Sequence, residues 1–380
     1  MKITDVKTHV LAKKCAKPIV ASRGGAAYRF HLIIEVETDE GITGLGEGIG
    51  NPTLVKSSVE AGLRNLVLGL DPFDVALVYE KLAKGTVYWE HKGSVVCAAS
   101  GIETACWDIM GKALNVPVYK LLGGKLHDKV HAYASDLFWE EDSASMGKTA
   151  ASYVEQGFDL VKTHLGALGP AEEEGRVKAM REAIGPDTGL MIDINCGYDL
   201  GDAMEAIKQW GEYDPFWIEE PLPPMDLDGL ASLRAATSIP FSCGENEFGV
   251  HGFKQLMDTR AMTYIMPDIG RAGGILETKK IAGLAEAYGV VVSPHNFSSG
   301  VLLAATLHVM ASTSNTKLLE FDPTGDSVYE ELLVDPLERD GAWVSIPEAP
   351  GLGVVLRDEV REKYEVKPGD VIPGTKGILT

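Results

Sequence analysis

No stretch of about 18 consecutive apolar residues occurs in the 380-residue chain, which excludes an apolar helix long enough to span a bilayer. The N-terminus, Met1-Lys2-Ile3-Thr4-Asp5-Val6, lacks the apolar core of a secretory leader, so a cytoplasmic protein is expected. Cysteine is sparse. Cys15, Cys97, Cys106, Cys196 and Cys243 are scattered, odd in number and free of any Cys-x-x-Cys spacing, which points to reduced thiols rather than a disulfide framework. Positive charge is also short: 35 Lys and Arg against 55 Asp and Glu leave a net charge of −20. That balance argues against nucleic acid or an anionic membrane as partner. It does not exclude a small anionic substrate, because the field inside a cleft can differ from the global one. No self-similar repeat is present, so a solenoid is not implied. The rest is ordinary for a globular chain, 45% hydrophobic and 24% charged, and long enough for two domains or one barrel with an appendage.

What the sequence does contain is a rhythm. Phe216–Pro221 reads Phe-Trp-Ile-Glu-Glu-Pro, a short apolar run ending in two acids and a proline. Such a run reads as a buried strand, and the proline stops it because it has no N–H for a ladder. Gly189–Asn195 carries Asp193 at the equivalent place and Ile239–Glu245 carries Glu245; both intervals, Asp193 to Glu219 and Glu219 to Glu245, are 26 residues. Upstream, Leu160–Leu165 carries Lys162 and His164; downstream, further segments end in Asp268, His295 and Glu320. Steps of this length fit a strand, a loop, a helix and a second loop. The expected fold is therefore α/β, with βα units presenting one polar residue each at the mouth of a barrel.

The chain in order supports this reading. Residues 1–50 are β-rich, with a hairpin signal at Asp39-Glu40-Gly41, and Ala21–Tyr28 reads as a mobile Ser/Arg/Gly/Ala loop. Helical periodicity follows in Thr53–Leu70, Phe73–Lys84 and the Ala-rich Val95–Leu114, and Leu121-Leu122-Gly123-Gly124-Lys125 marks a boundary. The βα rhythm starts at Val130–Ser135, and Gly274–Tyr288 and Gly300–Ser312 are among its helices. After Lys317–Phe321, Gly341–Pro347 and Gly351–Leu356 read as further strands and turns, in a tail expected to return to the N-terminal region. The expected domains are 1–126, 127–335 for the barrel, and a returning segment 336–380.

Strand side chains alternate, so Lys162 and His164 share one wall. Taken singly, each acid reads as a solvated strand-end carboxylate. Three of them converging from adjacent strands would repel one another and rise in pKa, a cost that a divalent cation removes. An all-oxygen set of Asp193, Glu219 and Glu245 suits Mg²⁺, with Mn²⁺ also compatible. Glu220 competes with Glu219, since alternation lets only one point inward; Glu219 is preferred. Asn195 shares the Asp193 face and is a candidate for substrate or metal-bound water. Asp268 beside His295 would fix the imidazole tautomer and raise its basicity. Glu320 would be useful beside a substrate anion only if protonated or hydrogen-bonded to a developing oxyanion. A metal flanked by Lys162/His164 and Asp268/His295 suits proton removal from a carbon next to a carboxylate.

These residues resemble the enolase superfamily, mandelate racemase subgroup. The likeness is carried by Ala99-Ser100-Gly101-Ile102-Glu103-Thr104-Ala105-Cys106-Trp107-Asp108-Ile109 and Leu121-Leu122-Gly123-Gly124. The strand ends Ile218-Glu219-Glu220-Pro221, Gly244-Glu245-Asn246, Pro267-Asp268 and Ser293-Pro294-His295 carry it through nearly the whole chain. The resemblance implies a modified TIM barrel, (β/α)7β, under an N-terminal α+β capping domain completed by the C-terminal tail. It implies Mg²⁺ on Asp193, Glu219 and Glu245, a His295–Asp268 dyad, Lys162 on the substrate carboxylate, and Glu320 hydrogen-bonded to that carboxylate. Capping loops near Ala21–Arg29 and Gly50–Val55 would set specificity, with Arg23, Tyr28, Trp89 and His91 as candidates. Symmetric homo-oligomers are the family habit. One departure stands out: the usual Lys-x-Lys of the second strand is Lys162-Thr163-His164 here, which makes two-base racemisation less secure.

The expected activity is a Mg²⁺-dependent dehydratase of a small anionic acid sugar, an aldonate or aldarate. It would proceed through an enediolate to a 2-keto-3-deoxy acid. A racemase, epimerase or cycloisomerase sharing the enolisation step is the nearest alternative. A barrel hydrolase is disfavoured because the first strand has no His-x-His, and a non-catalytic barrel because dyad and lysine are both intact.

Overall fold

The computed structural model describes residues 1–367 and Asp370. An antiparallel sheet opens the chain, formed by β1 (Ile3–Ala21), β2 (Gly24–Thr38) and β3 (Thr43–Gly48) in that order. The β2–β3 turn falls at Asp39–Gly41, as the sequence indicates, with Gly41 at φ 76°. The β1–β2 connection differs from expectation. Ala21–Tyr28 is not a loop but the apex of a long hairpin, turning only at Ser22–Arg23, with Val20 opposite Gly25 and Ala21 opposite Gly24. A Gly-Gly-Ala-Ala run carries no alternation of large and polar side chains, so its pairing leaves no periodic trace.

Helices Pro52–Ser58 and Ser94–Leu114 pack against the sheet, and Val75–Gly85 packs on Ser94–Leu114. Ser94–Leu114 is buried along most of its length because β3 lies directly on it. The alternating glycines of Gly44-Leu45-Gly46-Glu47-Gly48 make that approach possible. A Cβ at Gly44 would collide with the Ala105 carbonyl, and one at Gly46 with the Gly101 carbonyl.

The barrel consists of β4 (Lys129–Leu137), β5 (Leu160–His164), β6 (Gly189–Asp193), β7 (Pro215–Glu219), β8 (Phe241–Cys243), β9 (Tyr264–Ile265), β10 (Val291–Val292) and β11 (Leu318–Phe321). Neighbours pair in parallel from β4 to β10; β11 pairs with β4, and a parallel bridge between Val292 and Thr316 closes the ring. The connecting helices are Ser143–Glu155, Pro170–Ile184, Leu200–Trp210, Leu227–Ala236, Gly249–Asp258, Gly274–Tyr288 and Gly300–Ala311. Eight strands with helical crossovers between them make a (β/α)7β barrel. Tyr133, Leu160, Met191, Trp217, Met266 and Leu318 fill its lower lumen. The polar residues stand one layer above.

A short hairpin follows, β12 (Arg339–Asp340) and β13 (Trp343–Ser345), and β13 pairs antiparallel with the first residues of β4. Gly351–Leu356 forms bridges to Pro117 and Leu333 rather than a strand of its own. Helix Asp358–Tyr364 then packs on β1, and the Val366 N–H donates to the Val10 carbonyl at 2.8 Å. Residues 368, 369 and 371–380 of the expected returning segment lie outside the described residues. Among the described residues no helix is long and apolar enough to cross a membrane.

Candidate active site

Strand register places the acids. His164, Asp193 and Glu219 are Cα partners across β5, β6 and β7, so they share one level of the barrel mouth. Glu245 arrives from the loop just past β8. One carboxylate oxygen of each of Asp193, Glu219 and Glu245 lies within 4.8 Å of the others. Asp193 and Glu219 are fully buried. Burial and the neighbouring carboxylates of Asp193, Glu320 and Glu245 push Glu219 well above the usual carboxylate range, despite Lys162 beside it. Its Oε2 is buried with no hydrogen-bond partner. An orphaned oxygen and mutual repulsion in an all-carboxylate set are what a hard divalent cation would relieve, so these residues fit one.

Glu220 takes another direction. Its φ of 40° turns it out of the strand, and its carboxylate accepts from the Gly244 N–H at 2.7 Å and the Cys196 thiol at 3.1 Å. It thus braces the loops beneath Asp193 and Glu245.

Lys162 is buried at the centre. Its ammonium lies 2.6 Å from Glu219 and 2.7 Å from Glu320, with Asp193 at 3.7 Å. Against the cost of burial, Glu219 and Glu320 hold it charged. Glu320 also accepts from the Ser135 hydroxyl and, at 3.0 Å, from the Asn296 N–H. Burial would raise Glu320, but Lys162 and His295 overcome it and hold the carboxyl well below its usual range. Glu320 and Lys162 thus stand together on the side of the cavity where the resemblance places the substrate carboxylate.

The two histidines differ. His295 Nδ1 lies 2.6 Å from Asp268 Oδ2, and its Nε2 faces the cavity, 3.4 Å from Glu245 and 3.8 Å from Glu320. Burial pulls this imidazole down, but Glu320, Glu245 and Asp268 raise it to about 9. Asp268 is fixed in turn, its Oδ1 accepting from the Gly270 N–H at 2.8 Å. His164 has Nε2 2.9 Å from the Ser135 carbonyl and Nδ1 3.0 Å from Asn195 Oδ1. Asn195 is held with its oxygen toward His164 because its amide N–H donates to Asp193 Oδ2 at 2.7 Å. Both His164 nitrogens thus face acceptors, and the ring lies flat against Phe138 at 4.5 Å.

The expected specificity residues separate into two groups. Ser22 and Arg23, at the hairpin apex, reach over the barrel: Ser22 Oγ donates to the Ile194 carbonyl at 2.7 Å and the Arg23 guanidinium to that of Cys196. The Trp139 N–H donates back to Val20 at 3.1 Å. Glycines receive the apex, since a Cβ at Gly197 would lie 2.6 Å from that of Ser22. Tyr28 stacks on Phe30 along β2. Trp89 is exposed and packs over Gly62, and His91 is exposed; among the described residues neither hydrogen-bonds to the acids or the dyad.

Sequence reasoning missed the wall behind the site. Arg29 is buried across the Phe297 ring, 3.5 Å from Asp136 and 3.8 Å from Asp322. Burial and Asp322 push Asp136 well above the usual carboxylate range, while Arg29 holds Asp322 below it against burial. A signal existed: Asp136 lies near the end of the first barrel strand, next to Ser135, and Asp322 directly follows the last, two residues after Glu320.

Two family models match successive parts of the chain. Residues 3–123 match the mandelate racemase / muconate lactonizing enzyme N-terminal domain, and residues 145–360 match the enolase C-terminal domain-like family. The D-galactarolactone cycloisomerase of Agrobacterium fabrum is 34% identical over 95% of this chain and 98% of its own. The arabinonate dehydratase of Saccharolobus solfataricus is 31% identical over 96% of this chain and 100% of its own. Among solved structures, a racemase from Streptomyces coelicolor with bound magnesium superposes with a TM-score of 0.89 at 27% identity, over 96% of this chain and 100% of its own.

Proposed function

The chain belongs to the enolase superfamily, mandelate racemase subgroup, and on that premise we propose that this enzyme is a dehydratase of a small sugar acid that works by β-elimination. Asp193, Glu219 and Glu245 would hold Mg²⁺, which when bound supplies positive charge against the substrate carboxylate and acidifies the adjacent carbon. The Lys162 ammonium stands at the same place and stabilises the negative charge that develops on the carboxylate oxygens. Asp268 keeps one proton of His295 on Nδ1, and a cation held by Glu245 would offset the carboxylate charge that raises the imidazole, freeing the Nε2 lone pair toward the cavity. His295 Nε2 removes the α-proton. The same imidazolium then returns a proton to the departing β-hydroxyl. The resulting enol tautomerises to a 2-keto-3-deoxy acid. The hairpin apex closed over the barrel keeps bulk water from the carbanionic stage.

The inequality of the histidines carries this reading. Inversion at the α-carbon needs a second base on the opposite face, and His164, the residue in that position, has both nitrogens committed to acceptors. One available base suits elimination, in which acid and base can be the same residue in turn. The cycloisomerase likeness supports a second reading that differs only in the leaving group, a lactone ring oxygen in place of hydroxide.

A panel of mono- and diacid sugars and their lactones, incubated with Mg²⁺ and assayed with semicarbazide, tests the proposal. Ketoacid release from an open-chain acid is expected. Release from lactones alone would favour the cycloisomerase reading. Deuterium at the α-carbon of recovered substrate in D₂O, without ketoacid, would overturn elimination in favour of racemisation.

A further inference from the structure

Two carboxylates outside the acidic cluster are buried as deeply as those within it: Glu47 at the end of β3 and Glu103 in the middle of Ser94–Leu114. Both reach from the N-terminal domain into the barrel. Glu47 accepts from the Ser299 N–H at 3.0 Å, the Ser299 hydroxyl at 2.6 Å and the Leu302 N–H at 3.3 Å, at the start of helix Gly300–Ala311. Glu103 accepts from the N–H groups of Ile275 at 2.7 Å and Leu276 at 3.0 Å, at the start of helix Gly274–Tyr288. The chain reaches the first of these helices from His295 through residues 296–299, and the second from Asp268 through the short helix Ile269–Ala272 and Gly273.

Backbone contacts follow the same lines. The Ile49 N–H donates to the Gly270 carbonyl at 3.3 Å, and Ser100 Oγ accepts from the Gly273 N–H at 3.0 Å. A Cβ at Gly270 would lie 3.0 Å from the Glu47 carbonyl, and one at Gly274 would collide with the Glu103 carboxylate. Segments 268–274 and 295–299 are therefore each strung between a barrel strand and a carboxylate of the other domain. An apolar interface would hold the domains together but tolerate sliding. A buried carboxylate is costly unless its partners are met, and a helix N-terminus meets it only from one direction. The two carboxylates thus fix position as well as adhesion.

We propose that Glu47 and Glu103 are positioning residues, through which the N-terminal domain sets the spacing of His295 against Asp268 for proton transfer. The proposal rests on the dyad assignment above. Its test uses Glu47→Gln and Glu103→Gln in the full-length enzyme, with a substrate from the sugar-acid panel and its α-deuterated form. The expected result is kcat at least tenfold lower with KM within threefold, a larger deuterium isotope effect on kcat, and unchanged Mg²⁺ affinity by calorimetry. A defect that merely reduced the folded fraction would scale kcat and leave the isotope effect alone; a lowered melting temperature with an unaltered isotope effect overturns the proposal. Should either variant fail to fold, Ser299→Ala, which removes one Glu47 hydrogen bond and no charge, must show the same rise in isotope effect, and its absence is equally fatal. His295→Asn separates this from the parent reading. If it keeps wild-type turnover, the dyad assignment fails; if it is inactive while the glutamate variants behave as wild type, only the positioning role falls.

Discussion

Replacing Asp268 by Asn changes one atom at the centre of the proposed chemistry. The wild-type carboxylate uses Oδ1 to accept from the Gly270 N–H at 2.8 Å and Oδ2 to face His295 Nδ1 at 2.6 Å. The asparagine oxygen can keep the first contact, which leaves its NH₂ toward His295. A donor opposite Nδ1 selects the tautomer with its proton on Nε2, so the nitrogen that should accept the α-proton is already occupied. A charge-assisted hydrogen bond worth about 1.5–3 kcal/mol is lost as well. General-base catalysis contributes roughly 10²–10⁴, and with the tautomer inverted most of it should disappear. The expected outcome is a kcat lower by about 10³, with little loss of stability because the Gly270 contact survives. Two measurements check it. Ketoacid release gives the rate, and ¹⁵N spectra of histidine-labelled protein give the tautomer without any substrate. If the spectra show the inverted tautomer and Asp268→Asn still turns over within threefold of wild type, His295 Nε2 is not the base and the mechanism is wrong.

Lys162→Met should leave Glu219 and Glu320 buried without their cation, at a cost of about 3–5 kcal/mol in urea unfolding; an unchanged midpoint would show the acids to be neutral already. His308 makes a pH prediction. Its Nδ1 accepts from the Tyr119 N–H, its Nε2 donates to the Leu352 carbonyl, and burial lowers it from 6.5 to about 4. The folded pKa is the lower one, so the unfolded chain protonates first; stability is intact above about pH 6.5 and is lost as pH falls toward 4. The advantage of wild type over His308→Gln should shrink by about 2.5 kcal/mol between pH 7.5 and 4.5, and a constant difference would refute the neutral assignment. Gly197→Ala should unseat the hairpin apex, raising KM and exposing Arg23 to trypsin while the barrel stays folded; a trypsin pattern like that of wild type would count against the seat.

Much of this architecture can be read in the chain because a polar residue closes most of the βα units. The 26-residue steps locate β6, β7 and the β8 loop, and Gly274–Tyr288 has the same bounds in sequence and structure. Other features depend on physics that periodicity does not carry. The choice between Glu219 and Glu220 is made by a backbone turn at φ 40°, not by side-chain alternation. Strands β9 and β10 are two residues long, so Asp268 and His295 stand in loops whose direction no period fixes. The contacts of Glu320 with Lys162 and Ser135 form only after the ring closes. The hairpin apex, built from glycine and alanine, hides its pairing. Glu47 and Glu103 lay in plain view, the first among alternating glycines and the second within Ser100–Ile109, but their targets lie some 170 to 250 residues away.

The apex is received almost entirely by main-chain oxygens: Ile194, Asn195 and Cys196 offer carbonyls to Ser22 and Arg23. Main-chain acceptors are indifferent to the side chains that carry them. Substitutions along 194–196 that preserve the backbone path would therefore leave the closure intact. The inner flank of the hairpin can in turn be rewritten for a new ligand provided Ser22 and Arg23 remain. Such separation of fastening from selectivity makes this hairpin a natural unit for grafting between related barrels.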